Sequence, residues 1–172
     1  MTDTKQPLIS FISLPNRYIS DFPAFNLINL ATYLDNVWDI QTEIVEFEKN
    51  LLFRNGSIEW KNRLSDLIVE RLLKRCPKYV GIGGFTNDYY DVLEIAYKIK
   101  KNKKLKDIIL ITGNVHATLY PKDLIYQGSP FDYAVIGEGE LTLAELLLSL
   151  EENKDIADVK GIAYLGNDGM RL

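Results

Sequence analysis

Two stretches of sequence decide the fold of this chain: IILITGNVHAT at residues 108–118 and FDYAVIGEGE at residues 131–140. Each begins as a hydrophobic strand pattern and then breaks abruptly into polar residues that include glycine. An α/β sheet builds ligand-binding loops in this way, at the carboxyl ends of its strands. Because the two loops follow successive strands, we expect them to share one crevice.

Strand and helix patterns alternate along the rest of the chain. Short apolar runs predict strands at residues 8–13, 42–47, 79–83, 107–112, 132–136 and 161–165. Apolar side chains at helical spacing predict helices between them, for example from Trp60 to Leu73. Parallel neighbours need crossover connections, so the sequence predicts an α/β fold with a doubly wound, mostly parallel sheet. Among the strand orders of such sheets, our first choice is the flavodoxin-like order 2-1-3-4-5. The turn residues 166–169, GNDG, predict a short C-terminal hairpin.

Two local features complete the organisation. Thr142 and Glu145 have the spacing of a capping box, which predicts that the last long helix begins at Thr142. Residues 48–59, with Asn55-Gly56, are expected to be a turn at the opposite end of the sheet from the crevice. The sequence contains no repeat and no interdomain linker, and we expect residues 1–172 to form a single domain.

Composition excludes several classes of partner. A formal net charge of -4 argues against nucleic acid and against an anionic membrane surface, since both reward basic proteins. The apolar runs stop short of the roughly 20 residues that a membrane-spanning helix needs. The first residues also lack the apolar core of a secretion signal. We therefore expect a soluble cytoplasmic protein.

Only one cysteine and one histidine, Cys76 and His116, occur in the chain. They are too few for an internal disulfide, a structural zinc site, an iron-sulfur cluster or a histidine-based triad. Cys76 lies before Pro77 at the end of a predicted helix, where packing or simple exposure explains it better than a reactive thiol.

The loop after the first strand excludes familiar nucleotide sites. A dinucleotide site needs G-x-G-x-x-G there, whereas residues 13–18 read SLPNRY and contain no glycine. A nucleoside-triphosphate P-loop and the acidic residues of a phospho-receiver are also missing. Glycines stand instead at the ends of later strands, where they let a ligand approach the backbone closely. These are Gly83, Gly84, Gly113, Gly137 and Gly139.

The motifs resemble a known family. The segments GNVHAT (residues 113–118), DYAVIGEGELTL (132–143) and VKGIAY (159–164) are similar to conserved elements of the N-terminal cobalamin-binding domain of class B radical S-adenosylmethionine enzymes. Residues 27–34, which include ATYL at 31–34, are similar to that domain's first helix. The resemblance covers nearly the whole chain.

The resemblance implies how cobalamin would bind. The corrin would lie across the carboxyl edge of the sheet, with its dimethylbenzimidazole tail buried in the domain and its upper face turned to a barrel that holds an iron-sulfur cluster. By matched position, the tail channel or corrin rim would be lined by Gly113, Asn114, Val115 and His116. The nucleotide end would meet Gly137, Glu138, Gly139 and Glu140. The remaining expected contacts are Gly84, Phe85 and Thr86 after the third strand, and Leu14, Pro15 and Asn16 beneath the corrin.

The chain departs from the family pattern at two positions. The family's Gly-Gly-Pro reads Gly113-Asn114-Val115 here, so a side chain stands where the family has glycine and a proline constraint is lost. Asn tolerates left-handed backbone geometry better than most residues. The first loop also lacks Asp-x-His-x-x-Gly, so the resemblance implies base-off cobalamin without a histidine ligand to cobalt.

The sequence leaves three functional hypotheses. The first is a cobalamin-binding module of a radical S-adenosylmethionine enzyme, a methyltransferase. It is not catalytic alone, because the three-cysteine cluster motif is absent; the iron-sulfur cluster and S-adenosylmethionine would belong to a barrel supplied in cis or in trans. The second is a cofactor-less scaffold or protein-interaction domain, which Asn114 and Val115 favour. The third is an unrelated small-ligand sensor at the same sheet edge.

Two alternatives concern single residues of the loops. His116 either borders the cofactor or only hydrogen-bonds within its own loop. Glu138 and Glu140 either contact a ligand or complement the N-terminus of a helix, which needs no ligand.

Overall fold

β-Strands and α-helices alternate along the part of the chain that the computed structural model describes, residues 8–14, 24–47 and 59–172. The strands in these ranges are β1 (Ile9–Ile12), β2 (Thr42–Val45), β3 (Tyr79–Ile82), β4 (Ile109–Thr112), β5 (Tyr133–Val135), β6 (Ile162–Gly166) and β7 (Gly169–Arg171). The helices are α1 (Phe25–Trp38), α2 (Glu59–Arg75), α3 (Tyr89–Lys101), α4 (Asn114–Leu119), α5 (Pro121–Leu124) and α6 (Gly139–Glu151).

All the described strands belong to one sheet, in the order β2-β1-β3-β4-β5-β6-β7. The first five are parallel, which confirms the predicted order 2-1-3-4-5. β6 and β7 are antiparallel, and Gly166 pairs with Gly169 across the predicted terminal hairpin. The sheet is therefore parallel where helices cross over it and antiparallel where a hairpin ends it.

Helices cover both faces of the sheet, as predicted. On one face α1 and α6 bury Leu34, Leu143 and Leu147 against β1 and β5. On the other face α2 and α3 bury Ile68 and Ile95 together with the interior of the central strands. Because both faces are covered, β1 and β3 are buried along their whole length and their sequences do not alternate.

The capping-box prediction was wrong. α6 begins at Gly139, with Glu138 as its N-cap residue, so Thr142 lies inside the helix. The Thr142 hydroxyl donates to the Lys160 carbonyl at 3.3 Å instead of capping a helix end. The left-handed backbone of Gly137, with φ of 78°, turns the chain early enough for the helix to begin there.

Cys76 is exposed at the end of α2. The turn expected at residues 48–59 lies, apart from its last residue, outside the described residues, and so does the side chain of Trp60. None of the described helices combines the length and the apolar character that crossing a bilayer requires.

Ion pairs hold the amino edge of the sheet. Glu151 Oε1 accepts hydrogen bonds from Lys78 Nζ at 2.5 Å and from the Tyr79 hydroxyl at 2.7 Å. Asp132 Oδ2 accepts from Lys100 Nζ and from the Leu110 amide, both at 2.8 Å. Partial burial acts to raise the pKa of Glu151, but the hydrogen bonds from Lys78 and Tyr79 outweigh it, so its pKa lies below the ordinary value.

We expect Glu151→Gln to lower the free energy of unfolding by up to about 1 kcal/mol near neutral pH, because the pair is largely screened by solvent. The glutamine amide can still accept from Tyr79 but no longer attracts Lys78 electrostatically. A carboxyl with a lowered folded-state pKa stabilises the fold above its unfolded pKa, and that contribution disappears as pH falls through the folded pKa. Urea denaturation should therefore show a difference between wild type and variant that shrinks toward about pH 3. A constant difference would contradict the assignment.

Candidate functional site

The loops that follow β3, β4 and β5 meet at the carboxyl edge of the sheet. They meet because these strands are neighbours and run parallel, so all their chains leave the sheet on the same side. In open α/β sheets this edge is where ligands bind. The structure thus brings together most of the residues that the sequence analysis assigned to the site.

Gly83 makes the closest approach between two of these loops. A Cβ atom at Gly83 would lie 2.6 Å from the carbonyl oxygen of Gly113, closer than real Cβ contacts come. A Cβ at Gly84 would lie 2.8 Å from the Cβ of Asp88. Both positions therefore need glycine for steric reasons, and the backbones after β3 and β4 lie directly against each other.

The loop after β3 presents Phe85 and Thr86 to solvent. Asp88 fixes this loop, because its Oδ2 accepts a hydrogen bond from the Phe85 amide at 3.1 Å. Phe85 is 53% exposed. The loop thus offers an aromatic ring and a hydroxyl at the carboxyl edge.

Asn114 has a left-handed backbone, with φ of 74°. This geometry suits glycine best and asparagine next best, which explains why asparagine can stand where the family has glycine. Its side-chain Oδ1 accepts from the Val115 amide at 2.7 Å, so the side chain is turned toward its own loop. Val115 is 42% exposed.

His116 is buried, with 5% of its surface exposed. Its Nδ1 lies 3.3 Å from the Thr86 hydroxyl, on the neighbouring loop. Its Nε2 lies 3.7 Å from Asp123 Oδ2, which is too long for a hydrogen bond, so this nitrogen has no hydrogen-bond partner among the described residues. The ring packs against Tyr89 and Tyr120, with centroid distances of 4.6 and 5.4 Å.

Tyr89 supports this arrangement from α3. Its hydroxyl donates to the Asp123 carbonyl at 3.1 Å, which joins the start of α3 to α5. Burial, followed by the negative charge of Asp123, raises the pKa of Tyr89 above its ordinary value. The phenol therefore remains a neutral hydrogen-bond donor at physiological pH.

The loop after β5 contains the GEGE segment. Gly137 and Glu138 are exposed, and Gly139 and Glu140 are partly buried at the start of α6. The Gly137 amide donates to the Thr118 hydroxyl at 3.0 Å. Glu138 and Glu140 lie at the N-terminus of α6, where negative charge complements the helix dipole; this geometry suits both alternatives for their role.

The outer parts of the predicted site are less complete. Leu14 follows β1 and packs, partly buried, against the core. Pro15 and Asn16 lie outside the described residues. Within the described ranges there is no cluster of His, Cys, Asp and Glu that could hold a metal ion.

Sequence reasoning missed two residues that shape the loops, Asp88 and Thr118. Thr118 is the last residue of the His-Ala-Thr triplet, and that position was the available signal. Its hydroxyl donates to the Asn114 carbonyl at 3.1 Å while it accepts from Gly137. The loops after β4 and β5 are joined through this one side chain.

Comparison with known proteins gives the family. The B12-binding domain family matches residues 20–147, more than half of the chain. The chain therefore belongs to the B12-binding domain family, and the family's ligand is cobalamin.

Two curated proteins match about 100 residues of the chain each. The anaerobic magnesium-protoporphyrin IX monomethyl ester cyclase of Synechocystis sp. is 33% identical over 99 residues, which are 56% of this chain and 19% of that protein. An uncharacterized methyltransferase of Pyrococcus horikoshii is 31% identical over 104 residues, 60% of this chain and 22% of that protein. The chain thus spans about a fifth of the length of these relatives.

Solved structures share the fold. The cobalamin-dependent S-adenosylmethionine radical enzyme OxsB, with aqua-cobalamin and S-adenosylmethionine bound, aligns with a TM-score of 0.72 and 19% identity, over 97% of this chain and 22% of that chain. The radical S-adenosylmethionine methyltransferase TsrM from Kitasatospora setae, with cobalamin and a 4Fe-4S cluster bound, aligns with a TM-score of 0.70 and 22% identity. The alignment covers 95% of this chain and 28% of that chain.

The carboxyl edge suits a large, mostly neutral ligand such as cobalamin. A Cβ atom at Gly137 would have no atom within 4 Å, so the backbone there is open to a ligand. Phe85 and Val115 add exposed apolar surface, and Thr86 adds a hydroxyl. Apolar surface with a few placed polar groups is typical of cofactor sites.

The contact between Gly83 and Gly113 should limit which residues the fold tolerates at position 83. Gly83→Ala should lower the free energy of unfolding by about 1–3 kcal/mol, because backbone atoms must move to admit the methyl group. Gly139→Ala is the matched control, since its new Cβ would meet nothing closer than 3.7 Å and its φ is not positive. The control should leave stability unchanged or raise it by up to about 1 kcal/mol. Urea denaturation measures both; equal stability of the two variants would refute the close contact.

Proposed function

We propose that this chain is the cobalamin-binding module of a radical S-adenosylmethionine enzyme that transfers methyl groups. The convergence of the loops after β3, β4 and β5 on one open edge carries the proposal, together with the family match over residues 20–147. The cofactor would be held by Gly84, Phe85 and Thr86, by residues 113–115, and by residues 137–140. Bound cobalamin supplies the cobalt chemistry, and the protein supplies binding and orientation.

The rest of the enzyme would be a barrel that binds S-adenosylmethionine and an iron-sulfur cluster, in cis or in trans. Structures that share this fold are radical S-adenosylmethionine enzymes of which the matching part is a fraction. Methyl transfer is our choice of reaction because one sequence relative and one structural relative are methyltransferases. The cyclase relatives make ring closure the second candidate. A cytoplasmic location and the lack of a nucleic-acid partner stay predictions from composition.

We further propose that cobalamin binds in the base-off form, without a histidine ligand to cobalt. His116 is the only histidine of the chain, so no other imidazole can reach the metal from this domain. Its ring packs against two tyrosines, and its Nδ1 is engaged with Thr86. Coordination would require the ring to leave this packing.

Spectroscopy of the reconstituted chain tests the coordination. After incubation with hydroxocobalamin and desalting, the protein should retain the visible corrin bands. Once the bound cobalt is reduced to Co(II), its electron paramagnetic resonance lines should lack the triplet splitting that an axial nitrogen produces. A splitting that disappears in His116→Phe would identify a histidine ligand, and one that persists would identify the dimethylbenzimidazole. Either splitting would overturn the base-off proposal.

Asn114 decides between the cobalamin module and the cofactor-less scaffold. Because its side chain is turned toward the Val115 amide, we expect Asn114→Gly to change cobalamin affinity by less than about fivefold. Asn114→Ala should instead lower the free energy of unfolding by about 1–2 kcal/mol, because the left-handed backbone brings the Cβ of alanine too close to a carbonyl oxygen. Absorbance titration and urea denaturation measure these effects. A colourless wild type beside a cobalamin-retaining Asn114→Gly variant would mean that Asn114 blocks the site, in favour of the scaffold.

A further inference from the structure

The short helix α4 lies between the two loops that flank it at the carboxyl edge. It follows β4 directly, and β4 is the strand between β3 and β5. His116 and Thr118 are two residues apart on this helix, so their side chains leave it in directions about 200° apart. One side chain therefore contacts the loop after β3, and the other contacts the loop after β5.

Thr118 makes the stronger of the two connections. Its hydroxyl donates to the Asn114 carbonyl at 3.1 Å, four residues back along the helix, and this directs a lone pair at the Gly137 amide 3.0 Å away. Gly137 has a left-handed backbone and no atom within 4 Å of a Cβ position. No neighbouring atom therefore covers the Cβ side of Gly137, and the Thr118 hydroxyl fixes its amide.

His116 makes the second connection. Its distance of 3.3 Å to the Thr86 hydroxyl is long for a hydrogen bond between nitrogen and oxygen, so this contact is weaker than that of Thr118. Ring contacts with Tyr89 and Tyr120 add to this hydrogen bond and restrict the orientation of the imidazole. His116 thereby fixes the position of the loop after β3 relative to α4.

We propose that Thr118 and His116 are positioning residues, which fix the loops after β3 and β5 relative to α4 so that cobalamin meets a preformed site. This inference rests on the proposed function, since it concerns affinity for cobalamin. Binding to a preformed site avoids the entropic cost of ordering loops on association. If either connection is lost, cobalamin must order the loop when it binds, and its affinity falls. The effect should therefore appear in affinity although neither side chain needs to touch the cofactor.

The first test compares Thr118→Val with Thr118→Ser in the 172-residue chain. Valine keeps the shape of threonine but loses both hydrogen bonds, whereas serine keeps the hydroxyl. Absorbance titration with hydroxocobalamin, at a temperature where circular dichroism shows each variant folded, should give about tenfold weaker binding for Thr118→Val. Thr118→Ser should bind within about threefold of wild type. Glu151→Gln, at the opposite edge, is the control and should bind like wild type.

The second test is independent of cobalamin. Hydrogen exchange followed by nuclear magnetic resonance should show a protected Gly137 amide in wild type and in Thr118→Ser, and a rapidly exchanging one in Thr118→Val. His116→Phe, which keeps ring packing but loses Nδ1, should weaken cobalamin binding while Gly137 stays protected. If Thr118→Val does not fold, this variant still tests the positioning role of His116.

The outcomes separate the two proposals. A wild type that binds cobalamin beside variants that bind equally well overturns the positioning role and leaves the proposed function intact. An unchanged Gly137 exchange rate in Thr118→Val overturns the connection itself. A wild type that takes up no cobalamin overturns the proposed function, and with it the effect on affinity, whatever the exchange data show.

Discussion

The close backbone contact between the ends of β3 and β4 is the constraint on which the carboxyl edge depends. A methyl group at Gly83 would overlap the Gly113 carbonyl at 2.6 Å, so these two chains touch with nothing between them. Parallel pairing of β3 with β4 brings the two chains to this point, and the absent side chains let them leave the sheet together. The positions of Thr86 and of α4 follow from this contact.

Much of the fold could be predicted from sequence because a parallel sheet covered on both faces leaves a strong signal. β4 reads ILIT without alternation, and each such run is separated from the next by a segment with helical periodicity. The alternation requires crossover connections and hence a parallel sheet, and the flavodoxin-like order was the first choice among the strand orders that such a sheet allows. The start of α6 could not be predicted in this way, because Thr142 and Glu145 form a plausible local signal whereas the start depends on the left-handed turn at Gly137.

The contents of the site were predictable only in part. The motif identified residues 113–118 and 137–140, but periodicity does not say which side chain contacts which loop. The partnership of His116 with Thr86 depends on how α4 lies against the loop after β3, and the bond from Gly137 to Thr118 depends on how β5 lies beside β4. Such contacts join residues 19 to 30 positions apart in sequence, so no local pattern encodes them.

The two ends of β5 are anchored differently, and one sequence motif spans both ends. β5 has only three residues, so Asp132 at its beginning and Gly137 after its end lie at opposite edges. Asp132 binds Lys100 and the Leu110 amide, whereas Gly137 is held by a neutral hydroxyl. Charged anchors are tolerable at the amino edge because solvent screens them there. At the carboxyl edge a neutral hydroxyl fixes the loop after β5, whereas the carboxylate of Asp88 fixes the loop after β3. Residues of one motif therefore serve two purposes. Substitution of Asp132 should lower the free energy of unfolding, whereas substitution of Gly137 should alter the binding of cobalamin.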